Sequence, residues 1–471
     1  MYSGASPGRA YGALMFRVGH ADETLPRRGI THLVEHLALH PHDSRLVDFN
    51  GYVDLTNTVF HCQADSLDAV GQFLTAAART LTSLPFERME KEAQVLRAEA
   101  AQRGGSALGS ALWLRFGPTA FGVVEYEELF LHQPDQQAVQ AHVMRHFTRG
   151  NAVVVLSGPP PDTLDLSSLP PGGRMAVPVS LPVEQRYPAW STARGNAVSM
   201  TFVLPREPSV TAAVFALCSI LRTHLRETLA ISYDVSTTSH VLSSTHSHHV
   251  LRADCQPSDA AAVAAHMQTE LSRLIYDGCP ADLLADYQRE RRRHSTQPGV
   301  ELGIAHYLAG EWLYGNESAD VASLDARAEA LTIDDLRRVA QLIHHTALWL
   351  VPENAPITDK RIHLVAQWSD WAVTGTQYRH TRPAENNNFL IAGHDGVTLA
   401  VPQRGYVSVS FDRLAACKRW ADGARTLYGR DGFTVTVHPA DWVGGEQVVA
   451  QIDRQVPRDF VITSADRLRP G

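Results

Sequence analysis

Gly29-Ile30-Thr31-His32-Leu33-Val34-Glu35-His36-Leu37 sets two imidazoles and a carboxylate in the order H-x-x-E-H. On a helix, positions i, i+3 and i+4 share one face, so His32, Glu35 and His36 point into one space. Two neutral imidazoles suit zinc (Zn2+), and a carboxylate beside them can take a proton from a water that the metal acidifies.

Downstream of Pro85, the run Phe86-Glu87-Arg88-Met89-Glu90-Lys91-Glu92-Ala93-Gln94-Val95-Leu96-Arg97-Ala98-Glu99 contains neither Gly nor Pro and reads as a long helix. Glu92 and Glu99 are two turns apart and share a face. A catalytic zinc ion is usually held by three protein ligands with a fourth position open, and two His with one Glu is a known set.

In these two stretches the chain resembles the pitrilysin/insulysin metallopeptidases, the H-x-x-E-H family that includes the mitochondrial processing peptidases. The lead-in Leu14 to Glu23 is similar to the family's strand, which ends in Gly and an acidic pair before the motif helix. Glu92 to Glu99 resembles its second signature, which implies Glu99 as third metal ligand and Glu92 as the carboxylate supporting the site. Gly51-Tyr52-Val53-Asp54-Leu55 resembles the family's edge strand, which implies that substrate peptide adds there, at Asp54 and Leu55. Arg226 and Tyr233, seven apart in Leu225 to Tyr233, match the family's Arg/Tyr pair, whose Tyr donates to an oxyanion while the Arg clamps a carbonyl.

The resemblance implies an α+β fold of two pitrilysin-like α/β sandwich domains, with zinc as cofactor and peptides as substrate. The expected mechanism has His32, His36 and Glu99 on zinc, Glu35 as general base and then acid, and Tyr233 with Arg226 at the oxyanion. A catalytically inactive binding subunit of a heterodimer is the alternative. The family's clamshell pairs a zinc domain with the Arg/Tyr domain of a facing half. This chain carries one of each, so a homodimer is expected, with a heterodimer next. The chain departs from the family in its first strand, missing or supplied by residues 1–10, and in a 63-residue interval between His36 and Glu99 that is shorter than usual.

Composition agrees with a globular chain: 471 residues, 44% hydrophobic and 20% charged. The net charge of -8 argues against general nucleic-acid binding. Five scattered cysteines form no C-x-x-C pair and read as buried thiols in a reducing compartment. No charged start followed by an apolar core opens the chain, and no apolar run approaches the ~20 residues of a bilayer span. The expected address is therefore the cytoplasm, without a membrane partner.

The zinc-binding domain is expected over 1–160, opening on strand 13–18 and closing on strand 152–156. A Pro/Gly-rich linker covers 161–195. The Arg/Tyr domain over 196–360 repeats the plan, with strand 198–204, helices 210–228, 260–276, 281–293 and 333–345, and closing strand 347–351. A second linker spans 361–385. Residues 386–471 hold short strands punctuated by Asp395-Gly396, Asp422-Gly423 and Asp431-Gly432, then a helix 444–454. This small β-rich module is somewhat similar to pleckstrin-homology-like folds and reads as a docking or dimer-supporting appendage. His240, His246, His248 and His249 cluster without a spaced carboxylate, and the basic run Arg289 to His294 reads as a solvated helix end.

Overall fold

The computed structural model describes residues 8–464 except 43–46, 103–106, 181, 184–185, 296, 298, 318 and 383–386. The expected linker-to-module boundary at 385/386, most of any first strand within residues 1–10, and the last seven residues lie outside that set.

The first unit is a four-stranded antiparallel sheet with helices on one face. Strands β1 (Ala10–Phe16), β2 (Asp48–Val53), β3 (Thr58–Ala64) and β4 (Ala152–Leu156) stand in the order β2-β3-β1-β4. Helices α1 (Ile30–Leu39), α2 (Leu67–Thr82), α3 (Met89–Gln102) and α5 (Gln136–His146) build the helical layer, with α4 (Ala107–Phe116) between α3 and α5. Alternate residues of β1 divide the sheet. Leu14 and Phe16 join Leu33, Val34, Leu37, Leu74 and Val143 in the helical core. Tyr11, Ala13 and Met15 face the other way, against Ala309 and Leu313 of the second unit.

The second unit repeats this plan. β6 (Ala197–Pro205), β7 (Val235–Val241), β8 (His246–Asp254) and β9 (Leu348–Val351) stand in the order β9-β6-β8-β7, the order of the first sheet strand for strand. α6 (Pro208–Arg222) takes the place of α1; α7 (Ala260–Tyr276) and α11 (Ile333–Thr346) complete the layer. Two strands extend this sheet, β5 (Ala189–Thr192) and β10 (His363–Leu364). β5 lies inside the stretch expected to be linker; four residues with no clear alternation carried no strand signal. Helices α8 (Ala281–Ser295), α9 (Val300–Leu313) and α10 (Val321–Glu329) follow α7, and the sequence reading missed α9 and α10. α9 buries apolar residues against the first sheet, a contact without local periodicity of the surface-helix kind.

Among the described residues one helix, Pro208–Thr228, is long and apolar enough by length and composition to cross a membrane. This corrects the expectation that no run approaches that length. Of its apolar window, 61% is buried in the protein, where Val210, Ala213, Leu217 and Leu221 pack in the core of the second unit.

The C-terminal module stacks two four-stranded sheets. The first is β11 (Thr376–Arg379), β12 (Phe389–Gly393), β13 (Gly396–Val401) and β14 (Gly405–Ser410) in sequence order. The second is β17 (Thr434–Val437), β16 (Arg425–Gly429), β15 (Leu414–Arg419) and β18 (Val461–Thr463), with β18 parallel to β15. Helix α12 (Gly445–Gln455) closes the core through Val448 and Ile452. The three Asp-Gly pairs fall at strand junctions, as expected, and β11 begins ten residues ahead of position 386.

Beneath the motif helix, His142 and His146 of α5 are buried, and His142 Nε2 lies 3.1 Å from Thr31 Oγ1. Burial lowers His142 to about 4 and, with the neighbouring His142, lowers His146 to about 3. The unfolded chain protonates both near 6.5, so it binds more protons than the fold as the pH drops below that value. Stability should therefore fall from about pH 6.5 to about pH 4, where the His142 contribution levels off after a loss of roughly 3 kcal/mol. Urea midpoints at pH 7 and pH 4.5 check this. Equal midpoints, or equal midpoints for wild type and His142→Phe at both pH values, would contradict it.

Candidate metal centre

The motif helix begins at Gly29, whose φ of +98° is left-handed. A β-carbon there would also sit 2.6 Å from Glu128 Cβ, so glycine serves both the turn and the close approach. The first helical amides are satisfied by Glu23, which accepts from Thr31 N at 2.9 Å and Gly29 N at 3.0 Å and pairs with Arg28. Burial alone would raise the Glu23 carboxyl; His20, Arg28 and the Gly29 amide outweigh it and hold it well below the usual range. Asp22 pairs with buried Arg17 and accepts from Gly19 N at 2.8 Å. The acidic pair of the lead-in is thus structural, one member capping the helix and the other fixing the bend before it.

On one face of this helix the three expected ligands converge. Ligand atoms of His32, His36 and Glu99 all lie within 4.8 Å of one another. The two imidazoles stand nearly perpendicular, ring centroids 5.1 Å apart. Glu35 Oε2 is 3.8 Å from Nε2 of both rings, and Glu99 Oε2 is 3.9 Å from His36 Nε2. Two further carboxylates work from behind. Glu128 Oε1 is 3.0 Å from His32 Nδ1, and Glu92 Oε2 is 3.5 Å from His36 Nδ1. Each Nδ1 thereby faces an acceptor, which sets the tautomer and turns each Nε2 towards Glu35. Glu92 is itself held by Arg88 at 3.1 Å. Burial first, and then His32, lowers His36, with Glu92 and Glu99 opposing them; the neutral ring is the form that ligates metal. The donor set, its spacing and the anchored Nδ1 atoms fit a divalent metal of the zinc class.

Glu92 stands where the resemblance implied. Glu128 was missed: it is 96 residues from His32, in a turn with no periodicity, and only the folded chain brings the two together.

Strand β2 forms one edge of the sheet and passes beside Glu35 at Gly51. Asp54 and Leu55, expected on this edge, lie in the turn beyond it. Their carbonyls accept from His20 N and Ala21 N, and Leu55 is buried. The backbone able to add a strand is therefore Asp48–Val53. A β-carbon on Gly51 would meet Glu35 Oε1 at 2.4 Å and Leu39 Cδ1 at 2.9 Å. Both are side-chain ends that can move, so Gly51→Ala should cost little stability while displacing the carboxylate. A misplacement of ~1 Å costs on the order of 10^2-fold in rate. Turnover lowered to that degree with metal content unchanged is the expected result, and an unaltered rate would separate Gly51 from the placement of Glu35.

Arg226 and Tyr233 stand together in the second unit. Arg226 lies over the Tyr233 ring at 5.2 Å, and Tyr233 is 78% exposed. Asp254 Oδ1 holds their turn, accepting from Ser232 Oγ, Tyr233 N and Asp234 N at 3.0, 2.8 and 2.8 Å. Ala230 in the same turn has a left-handed φ of +53°. The pair lines a cavity of about 540 Å3 with second-unit residues such as Asn196, Ile231 and Asp259. Within one chain the structure joins Arg226 to Tyr233 and does not place them in the His32/His36/Glu99 cluster.

The other histidines form no comparable cluster among the described residues. His248 is fully buried, and His249 stacks on Phe202. The basic run of α8 is ion-paired, Arg291 to Asp325 at 2.9 Å and Arg292 to Glu329. All five cysteines are free and buried.

No protein-family model matches the sequence, and no curated protein does. Solved structures do. A protease from Helicobacter pylori aligns at a TM-score of 0.60 with 16% identity, over 74% of this chain and 94% of that one. The inactive domain of a peptidase M16 from Pseudomonas fluorescens aligns at 0.58 with 15% identity, over 73% and 93%. The periplasmic protease PqqL from Escherichia coli aligns at 0.57 with 14% identity, over 87% of this chain and 54% of its own. The fold is that of the pitrilysin-like M16 peptidases, in the two-unit α+β form, with a β-rich C-terminal module.

Proposed function

We propose that this chain is a zinc-dependent endopeptidase acting on peptides or unfolded segments. The observation that carries the reading is the donor set: His32, His36 and Glu99 within ligating distance of one another, both imidazoles backed by carboxylates, and Glu35 beside them. Zinc in that set supplies Lewis acidity to a water and to the scissile carbonyl. Glu35 takes the water's proton and returns it to the leaving amine. The edge β2 receives the substrate backbone as an added strand, which selects extended chains over folded ones. Tyr233 and Arg226 of a second copy supply the oxyanion donor and carbonyl clamp, which makes the working form a homodimer.

The fold is equally compatible with a non-catalytic binding subunit, since one of the similar structures is described as inactive. The complete donor set and its carboxylate backing favour the peptidase. A dedicated substrate, such as a leader-bearing precursor, fits the shortened interval between His36 and Glu99. Zinc stoichiometry of the purified chain, combined with cleavage of a diverse peptide library, tests the proposal. Bound zinc with cleavage supports it; bound zinc without cleavage of any peptide favours the binding subunit.

A further inference from the structure

The C-terminal module meets the first unit on the two turns that flank the metal centre. Leu25, ahead of the motif helix, and Leu129 pack with Ala415 and Ala416 of β15 and Ile462 of β18. Tyr126 meets Tyr428 edge-on, ring centroids 5.6 Å apart. Lys418 of β15, its side chain only 6% exposed, reaches Glu127 Oε1 at 2.7 Å with its ammonium 4.2 Å from the Trp420 ring centre. A lysine buried this far is costly without its partner, so separating Lys418 from Glu127 would leave an uncompensated buried charge. Glu127 and Leu129 are the immediate neighbours of Glu128, the carboxylate on His32 Nδ1, and Tyr126 is one residue beyond Glu127. The module thus grips the chain on both sides of the residue that orients a ligand.

We infer that the C-terminal module is a docked positioning element of the metal centre: it clamps Tyr126, Glu127 and Leu129, holds Glu128 against His32 Nδ1, and so sets the imidazole for metal. The inference rests on the zinc reading and adds to it a role for the module and for Glu128 and Lys418. Both are positioning residues, acting through His32.

The test measures zinc affinity of the full chain by competition with a chromophoric chelator, and the visible spectrum of the cobalt-substituted protein. Loss of an outer-shell partner typically lowers metal affinity 10- to 100-fold. Glu128→Ala should show that loss and an altered cobalt spectrum. Lys418→Met should move both readouts in the same direction, Lys418→Arg should restore them, and Lys418→Met added to Glu128→Ala should lower affinity no further. Glu127→Gln breaks the same link from a half-exposed position, and so gives the answer should Lys418→Met misfold. If Glu128→Ala weakens zinc while Lys418→Met and Glu127→Gln both leave affinity and spectrum at wild-type values, the module is not a positioning element. If Glu128→Ala itself changes nothing, the role of Glu128 fails. Those two results leave the zinc reading standing, whereas a wild-type chain that binds no zinc overturns both.

Discussion

Glu35→Gln is expected to retain zinc and lose turnover by about 10^2- to 10^4-fold, the usual contribution of a general acid/base. The side chain is 6% exposed, 3.8 Å from both Nε2 atoms, and is not one of the three converging ligands. Glutamine fills the same volume beside Gly51 and can still hydrogen-bond. It cannot carry a proton from the attacking water to the leaving amine. Metal content should therefore stay at the wild-type value while kcat falls. A variant that keeps a near-normal rate would remove Glu35 from the chemistry, and one that loses its zinc would make it a structural member of the centre.

Tyr233→Phe is expected to cost on the order of 10^2- to 10^3-fold in kcat, the scale of deleting one oxyanion donor. The phenol is exposed, and Asp254 and Arg226 hold its turn, so the change should leave stability almost untouched. Because the pair lines a pocket of second-unit residues and the His/Glu cluster belongs to the first unit, the two defects should complement between chains that share a site. In an equimolar mixture of Glu35→Gln and Tyr233→Phe chains exchanging at random in a two-fold dimer, about a quarter of the sites combine intact Glu35 with an intact Tyr233. Activity should recover to about that share of wild type. A mixture no more active than its components, or a wild-type chain that is monomeric and fully active at high dilution, would overturn the shared site.

Much of the fold was legible because its signals are local. Strand β4 and helix α7 match their expected limits residue for residue. Each has an apolar pattern bounded by turn residues. The matching strand order of the two sheets bears out the repeat read from the spacing of elements. The misses have a common cause. β5 and β10 are four and two residues long; β5 exists only because β9 offers it an edge to extend, and β10 because β5 in turn offers one. α9 carries apolar residues on more than one side, Ala309 and Leu313 packed on the first sheet and Tyr307 and Leu308 exposed, so it lacks the single stripe that marks a surface helix.

The same division runs through the candidate site. By itself the sequence determined that His32, Glu35 and His36 share a face, because spacing on a helix follows from backbone geometry alone. It also marked Glu92 and Glu99, two turns apart on one helix. What only the tertiary structure decided is which groups stand behind those side chains and where the edge runs. Glu128 reaches His32 across 96 residues, Lys418 grips the neighbouring Glu127 across 291, and Asp54 and Leu55 prove to be anchors of the lead-in rather than strand. Contacts at such separations come from packing whole layers against one another, and no local spacing encodes them.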